Sequence, residues 1–257
     1  MFPGAAWQRC IVHYVKVREN HRIVSKALMV AIALNDSGRK EVIGFDLADR
    51  EEAATWKAFL SSLRKRGLSD ARMFTSDAHE GIIAALEDVF PDVPWQRCQA
   101  HFARNVADAA PKRLRAGLRS ELAEMFNCRT LEEAVGRRDE IIADYAAGAP
   151  DAVRRLDEGF DDAMTVMALP EGMRRCTRTS NYLERLNREV KRRSKVIGIF
   201  PNAGSAVRLM GALLMEENDR WAAMGRMYYS PACKELEERR EELVVIARRQ
   251  QDPRKAA

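Results

Sequence analysis

Residues Arg22–Leu34 read RIVSKALMVAIAL, a long strand-like run that commits the front of the chain to a β-sheet. Asn-Asp-Ser-Gly at 35–38 is a turn signal, and Glu41–Leu47 (EVIGFDL) is a second strand. Tyr14–Arg18 is expected to pair ahead of them, completing a three-strand antiparallel meander. Helical spacing then takes over. Within Glu51–Arg66 it sets Trp56, Phe59, Leu60 and Leu63 on one face, with Gly67 as the stop. Ala71–Ser76 is a short strand ending at Asp77, His79–Val89 a second helix, and Trp95–Cys98 a last strand. Asp46 and Asp49 are expected to be turn and cap residues, Asp49 preceding the Trp56 helix.

After His101 the texture changes. Strand signals nearly vanish up to about residue 170, and helical periodicity is broken at Pro111, at Asn127–Thr130 and at Gly148–Pro150. Thr130 with Glu133 is a capping box opening a helix that runs to about Ala147. The expected class is therefore α/β, with an all-α insertion. Residues 14–100 form the first part of the sheet domain, 101–178 the insertion, 179–230 the remainder of the domain, and 231–257 a charged helix (Lys234–Gln250) with a polar tail. A further helix is expected over Asn202–Met224.

Charge is distributed unevenly. From Glu171 to Phe200 nine Lys/Arg face three acids, a net +6, whereas the whole chain is +5, so the rest sums to −1. A single basic patch is the footprint a polyanion binds, and it favours nucleic acid over a general membrane affinity. No run of 18 apolar residues exists, so no membrane span is expected. With no leader pattern and five scattered cysteines, a reducing cytoplasm is expected. Within the patch, Asn181–Lys195 reads as a helix with Leu183, Leu186 and Val190 on one stripe. Glu184, Asn187 and Lys191 share a polar face flanked by Arg188, while Glu189 is bracketed by Arg185 and Arg193 as a solvated ion-pair residue. Glu184 lacks a local partner other than Arg188, which makes it a candidate for chemistry. The competing reading is that Asn181 and Glu184 form a capping box.

Asp77 directly follows a strand, a position that projects a carboxylate from a sheet. A strand-end Asp and a helix Glu, joined across a helical insertion, supply hard oxygen ligands of the kind a two-Mg²⁺ nucleotidyl-transfer site uses. Such a site takes another carboxylate from the first strand, yet residues 1–18 contain no Asp or Glu.

The runs VREN-RIVSKAL, GFDLADREEAATWKAFLSSLRKRGL, SDAHEG, FPDVPWQRCQAHFARN and TSNYLERLNREVKRRSKVIGIFPN resemble the Mutator-type transposases of bacterial insertion sequences, in order, over residues ~14 to ~228. The resemblance implies an RNase H-like catalytic domain with a helical insertion and an Asp-Asp-Glu triad binding Mg²⁺ (or Mn²⁺). It implies DNA transposition by end cleavage and strand transfer, a homo-oligomer, and a nucleoid-associated location. Asp77 of SDAHEG takes the second Asp and Glu184 of NYLERLN the Glu, both as metal ligands. Cys98 and His101 fill a Cys-x-x-His signature and, with Asn181, are read as support for the site. Arg185, Arg188, Lys191, Arg192, Arg193 and Lys195 would track DNA phosphates.

The first Asp is where the chain departs, because its slot holds Ile11. Phe2–His13 (FPGAAWQRCIVH) repeats Phe90–His101 (FPDVPWQRCQAH) with seven identities in twelve. The expectation is a rearranged or truncated copy, with residues 1–13 a duplicated segment and the family's N-terminal DNA-recognition region absent. Such a copy would be defective, or an inactive DNA-binding partner of an intact transposase. Cys10, His13, Cys98 and His101 would also suit tetrahedral zinc, though a copied segment explains them as well. His79 stands between a contact to substrate and an ordinary satisfied polar residue.

Overall fold

The computed structural model describes residues 6–9, 13–35, 37–229 and 234–251. A six-stranded sheet is formed by β1 (Ala6–Arg9), β2 (His13–Glu19), β3 (Arg22–Leu34), β4 (Lys40–Ala48), β5 (Met73–Ser76) and β6 (Trp95–Arg97). The expected meander is present: β2 and β4 flank β3, both antiparallel to it. β1 pairs with the far end of β3, through Ala31–Leu34, on the side where β2 takes Arg22–Leu28. It also pairs parallel to β5, which in turn lies parallel to β6.

The length and apolarity of β3 follow from its place in the middle. Side chains alternate across a strand. Ala27, Met29, Ala31 and Ala33 pack with Trp56, Phe59, Leu60 and Leu63 of α1 (Ala53–Lys65) and with Ile82, Leu86 and Val89 of α2 (Glu80–Val89). Leu28, Val30 and Ile32 face the other way, onto Leu183, Leu186 and Val190 of α8 (Asn181–Ile197) and Met210, Leu213 and Leu214 of α9 (Ala203–Met224). A strand covered on both faces loses its polar alternation, hence the unbroken run.

Between β6 and α8 lies the helical block: α3 (Gln99–Ala109), α4 (Arg115–Met125), α5 (Leu131–Tyr145), α6 (Pro150–Met164), a 3₁₀ turn (Thr165–Ala168) and α7 (Glu171–Thr177). It has a core of its own, with Phe102, Leu122, Ile141, Leu156 and Phe160 at its centre. The Thr130–Glu133 capping box is present as expected. Buried Gln96 of β6 stitches this block to the sheet, and buried Gln99 of α3 joins it within the block at the same carbonyl. Gln96 Nε2 donates to Ala163 O at 2.7 Å, its Oε1 accepts from Val166 N at 2.5 Å, and Gln99 Nε2 donates to Ala163 O at 2.9 Å.

Two local expectations fail. The residue preceding α1 is Glu52, and Asp49 instead accepts from Lys26 Nζ at 2.6 Å, because the chain runs three residues further before turning helical. The C-terminal segment is two helices, α10 (Lys234–Glu238) and α11 (Arg240–Gln250), broken at Arg239. They fold back on the molecule. Buried Arg72 pairs with Asp70 and Glu237, and Gln250 takes both Trp95 N (2.9 Å) and Trp95 O (2.7 Å) on the open side of β6. No described helix is long and apolar enough to cross a membrane.

Candidate functional site

Asp77 follows β5, and the segment leading into α8 is laced to this end of the sheet. Thr75 Oγ1 donates to Thr177 O at 2.7 Å, Cys98 N to Ser76 O at 2.7 Å, and Gln99 N to Arg178 O at 3.0 Å. Trp95 Nε1 donates to Ser76 Oγ at 2.8 Å, fixing the residue before Asp77. The Cys-x-x-His pair sits at this junction. Cys98 is the N-cap position of α3, and its sulfur lies 3.2 Å from Ser180 Oγ and accepts from Ser180 N at 3.4 Å. Ser180 is the N-cap position of α8, so the first turn of the basic helix is pinned to the end of β6. One turn along α3, His101 Nε2 lies 3.4 Å from Glu184 Oε1.

The electrostatics bind the four residues together. The His101 imidazole is raised above its ordinary pKa, first by the adjacent Cys98 thiol, against opposition from burial, with the Asp77 and Glu184 carboxylates adding to the rise. For Cys98, burial is the largest influence and pushes the thiol up, but His101 and Ser180 together outweigh it and the net shift is downward. Glu184 thus meets His101 directly, and Asp77, 107 positions earlier in the sequence than Glu184, acts on the same imidazole through its charge. Sequence reasoning missed Ser180, whose signal was available: a Ser immediately before an amphipathic helix is a favoured N-cap.

The Asn181–Glu184 capping box is absent. Asn181 is the first helical residue and no side chain caps α8, which leaves Glu184 facing His101 rather than the helix terminus. Glu189 is an ion-pair residue, with Arg193 (2.8 Å) as expected but with Arg192 (2.7 Å) in place of Arg185; their hydrogen bonds hold its carboxyl down at about 2. Arg193 also reaches Glu216 at 2.8 Å. Arg185, Arg188, Lys191 and Lys195 are exposed and form no ion pair among the described residues. Arg188, Lys191 and Lys195 follow Glu184 at i+4, i+7 and i+11, one stripe of the helix. Asn187, expected on that polar face, is buried.

On the neighbouring side of α8 a lysine stands among rings. Lys40 Nζ lies 4.2 Å from the Tyr182 ring centre, 3.9 Å from Trp221 and 5.5 Å from Tyr228. Burial pushes it down to about 8; Glu217 opposes, and Arg185, Arg220 and Arg226 push it further down.

Asp77 and Glu184 offer hard oxygens, and Mg²⁺ commonly binds through one or two protein carboxylates while keeping waters and substrate phosphates. The donor set therefore suits that ion chemically. Among the described residues, no group of three or more His, Cys, Asp or Glu side chains is arranged to hold a metal. Ile11 and Cys10 lie outside the described residues. Cys98, engaged with Ser180, has no zinc-type partner set among them. His79 precedes α2, with its Nδ1 buried and without a hydrogen bond among the described residues.

The chain is thus a mixed α/β protein with Asp77 at a strand end, Glu184 on α8, and an exposed basic stripe along the same helix. Residues 14–224 match the sequence model of the family described as "Transposase, Mutator family", and the chain belongs to that family. It is 38% identical over 219 residues to the transposase for insertion sequence element IS256 in transposon Tn4001 of Staphylococcus aureus, covering 84% of this chain and 56% of that protein. It is 37% identical over 214 residues to the IS1081 transposase of Mycobacterium tuberculosis, covering 83% and 51%. With the ISRM5 transposase of Rhizobium meliloti the identity is 34% over 213 residues, covering 83% and 54%. The chain spans about half the length of the curated relatives it matches.

Proposed function

We propose that this chain carries the catalytic region of an insertion-element transposase, an RNase H-like domain with the helical block 101–178 inserted in it. Its chemistry would be Mg²⁺-dependent (or Mn²⁺-dependent) cleavage at element ends followed by strand transfer. The observation that carries this reading is the contact of Glu184 Oε1 with His101 Nε2 at 3.4 Å, with the Asp77 charge acting on the same imidazole. The strand order, with β5 and β6 parallel to β1 beside an antiparallel meander, supports the fold assignment.

In this reading Asp77 and Glu184 hold the cation, which would lower the pKa of an attacking water or 3′-hydroxyl and stabilise the charge on the phosphate. Cys98 and Ser180 fix the first turn of α8, so Glu184 meets the sheet end in one orientation. His101 keeps the Glu184 carboxylate turned inward, away from the arginines of its own helix. Arg188, Lys191 and Lys195 carry the DNA backbone along the same stripe, neutralising phosphates without reading bases. Arg192 and Arg193, already engaged with Glu189 and Glu216, contribute less.

Supercoiled plasmid bearing element ends, incubated with Mg²⁺, tests the reading. Wild-type chain nicks it while Asp77→Asn and Glu184→Gln do not, with DNA binding retained; a Glu184→Gln variant nicking at the wild-type rate refutes the assignment. A second reading is a catalytically inactive DNA-binding remnant that pairs with an intact transposase, favoured by Ile11 standing in the slot where the resemblance puts the first Asp. Robust nicking by the wild-type chain alone excludes it.

A further inference from the structure

An open cavity of about 540 Å³ lies between the loop after α4 and α7, with neither Asp77 nor Glu184 in its lining. Its lining includes Arg129, Arg174, Arg175 and Arg178, against a single carboxylate, Glu171. The two inner arginines, Arg174 and Arg178, donate to uncharged partners, Arg174 also meeting Met167 Sδ at 3.8 Å. Arg174 donates to Leu169 O and Arg129 O, both at 2.8 Å, and Arg178 to Phe126 O at 2.7 Å and Asn127 Oδ1 at 3.0 Å. Carbonyl dipoles orient a guanidinium but do not cancel its charge, and arginine does not shed its proton. Glu171 is 3.9 Å from Arg129 with both side chains exposed, a pair too long and too wet to neutralise the group. Burial works against the charge of Arg174 and of Arg178, and neighbouring Arg239 and Arg175 work the same way.

This positive charge continues beyond the cavity. At the first turn of α8, Lys40 Nζ lies 4.2 Å from the Tyr182 ring, Tyr182 meets Tyr228 at 5.2 Å, and the Arg226 guanidinium stands 5.1 Å from the Tyr228 ring. The band passes the start of α8 with Glu217 as its named acidic neighbour at Lys40, itself paired with Arg220. A small anion would occupy one cluster and leave the rest unbalanced, whereas phosphates repeating along a duplex match a band.

We propose that the arginine-lined cavity at the insertion–α7 junction is a docking site for the phosphodiester backbone of duplex DNA, distinct from the Glu184–Lys195 stripe. The proposal relies on the DNA-acting reading only for the identity of the polyanion. It does not require that Asp77 and Glu184 be catalytic.

Fluorescence anisotropy with a labelled duplex, over a salt series, tests it. Arg129→Glu with Arg175→Glu alters the solvent-facing pair and leaves the structural bonds of Arg174 and Arg178 in place. This double variant, melting like wild type, should weaken binding at least ~10-fold and flatten the log–log salt slope by about 2, one unit for each lost phosphate contact. Arg129→Lys with Arg175→Lys should stay within about threefold of wild type, since a point charge still meets a phosphate. Unchanged affinity and slope in the folded charge-reversed variant overturn the proposal. So does tight binding of inorganic phosphate or pyrophosphate that the charge reversal abolishes while duplex binding is unaffected. Failure of the catalytic reading shows separately, as nicking that survives Glu184→Gln, and does not alter the slope measured here.

Discussion

Cys98→Ala removes the sulfur that ties the end of β6 to Ser180 at the start of α8. The sulfur and Ser180 are both fully buried, so the Ser180 hydroxyl and N–H lose their partner with no water to replace it. A buried orphan costs roughly 1–3 kcal/mol, and bonds to sulfur at 3.2 and 3.4 Å sit at the weak end, near 1 each. The void left by one sulfur adds about 1 kcal/mol, for a total of ~2–4 kcal/mol. With a urea slope of about 3 kcal/mol/M for a chain of this size, the unfolding midpoint should fall by roughly 1 M. Cys98→Ser, which keeps a donor and acceptor, should recover most of that. Because the loss falls at the first turn of α8, nicking by Cys98→Ala should drop through kcat while duplex affinity holds. A Cys98→Ala midpoint within about 0.2 M of wild type refutes the reasoning, since the latch would then carry no load.

Gln96→Leu keeps the volume but strands Val166 N–H, while Ala163 C=O keeps its bond from Gln99 Nε2, and urea melts should show a loss of roughly 1–3 kcal/mol. Lys40 makes stability rise with pH. Its folded pKa, about 8, lies below the ordinary 10.5, so below 8 both states are protonated and the full penalty is present; between the two values the unfolded chain holds the extra proton and the penalty is relieved. Urea midpoints across that window should climb for wild type and stay flatter for Lys40→Met; an equal climb in both refutes it. Asn202→Ala removes the side-chain cap on Ser205 N (2.8 Å) and should cost ~1 kcal/mol in the same assay, against a few tenths for Asn202→Gly.

Periodicity is a local property, and what depends on it was legible. The β2–β3–β4 meander, the face of α1 and the breaks between the insertion helices all sit close to where spacing and turn residues put them. The Thr130 cap was readable because both partners lie within one turn. Asn181–Glu184 has the same spacing and fails, because Ser180 is drawn to Cys98, 82 positions away, and starts the helix one residue earlier. Lys40 carries no local signal; its aromatic surroundings come from α8, α9 and the segment after it. Asp77 and Glu184 could be picked from residue type and flanking pattern, but their shared neighbour His101 required the fold. Local rules name candidates, and only long-range pairing shows which of two identical spacings a helix uses.

β6 is three residues long and lies at the margin of the sheet, where unpaired N–H and C=O groups invite another chain to add on. Gln250 meets both backbone groups of Trp95 with one primary amide, the same donor–acceptor pair a further strand would present. The final turn of α11 thereby acts as a stopper, closing the margin to strand exchange between copies. The strand that precedes the Cys98–His101 segment is thus kept from serving as a template for aggregation.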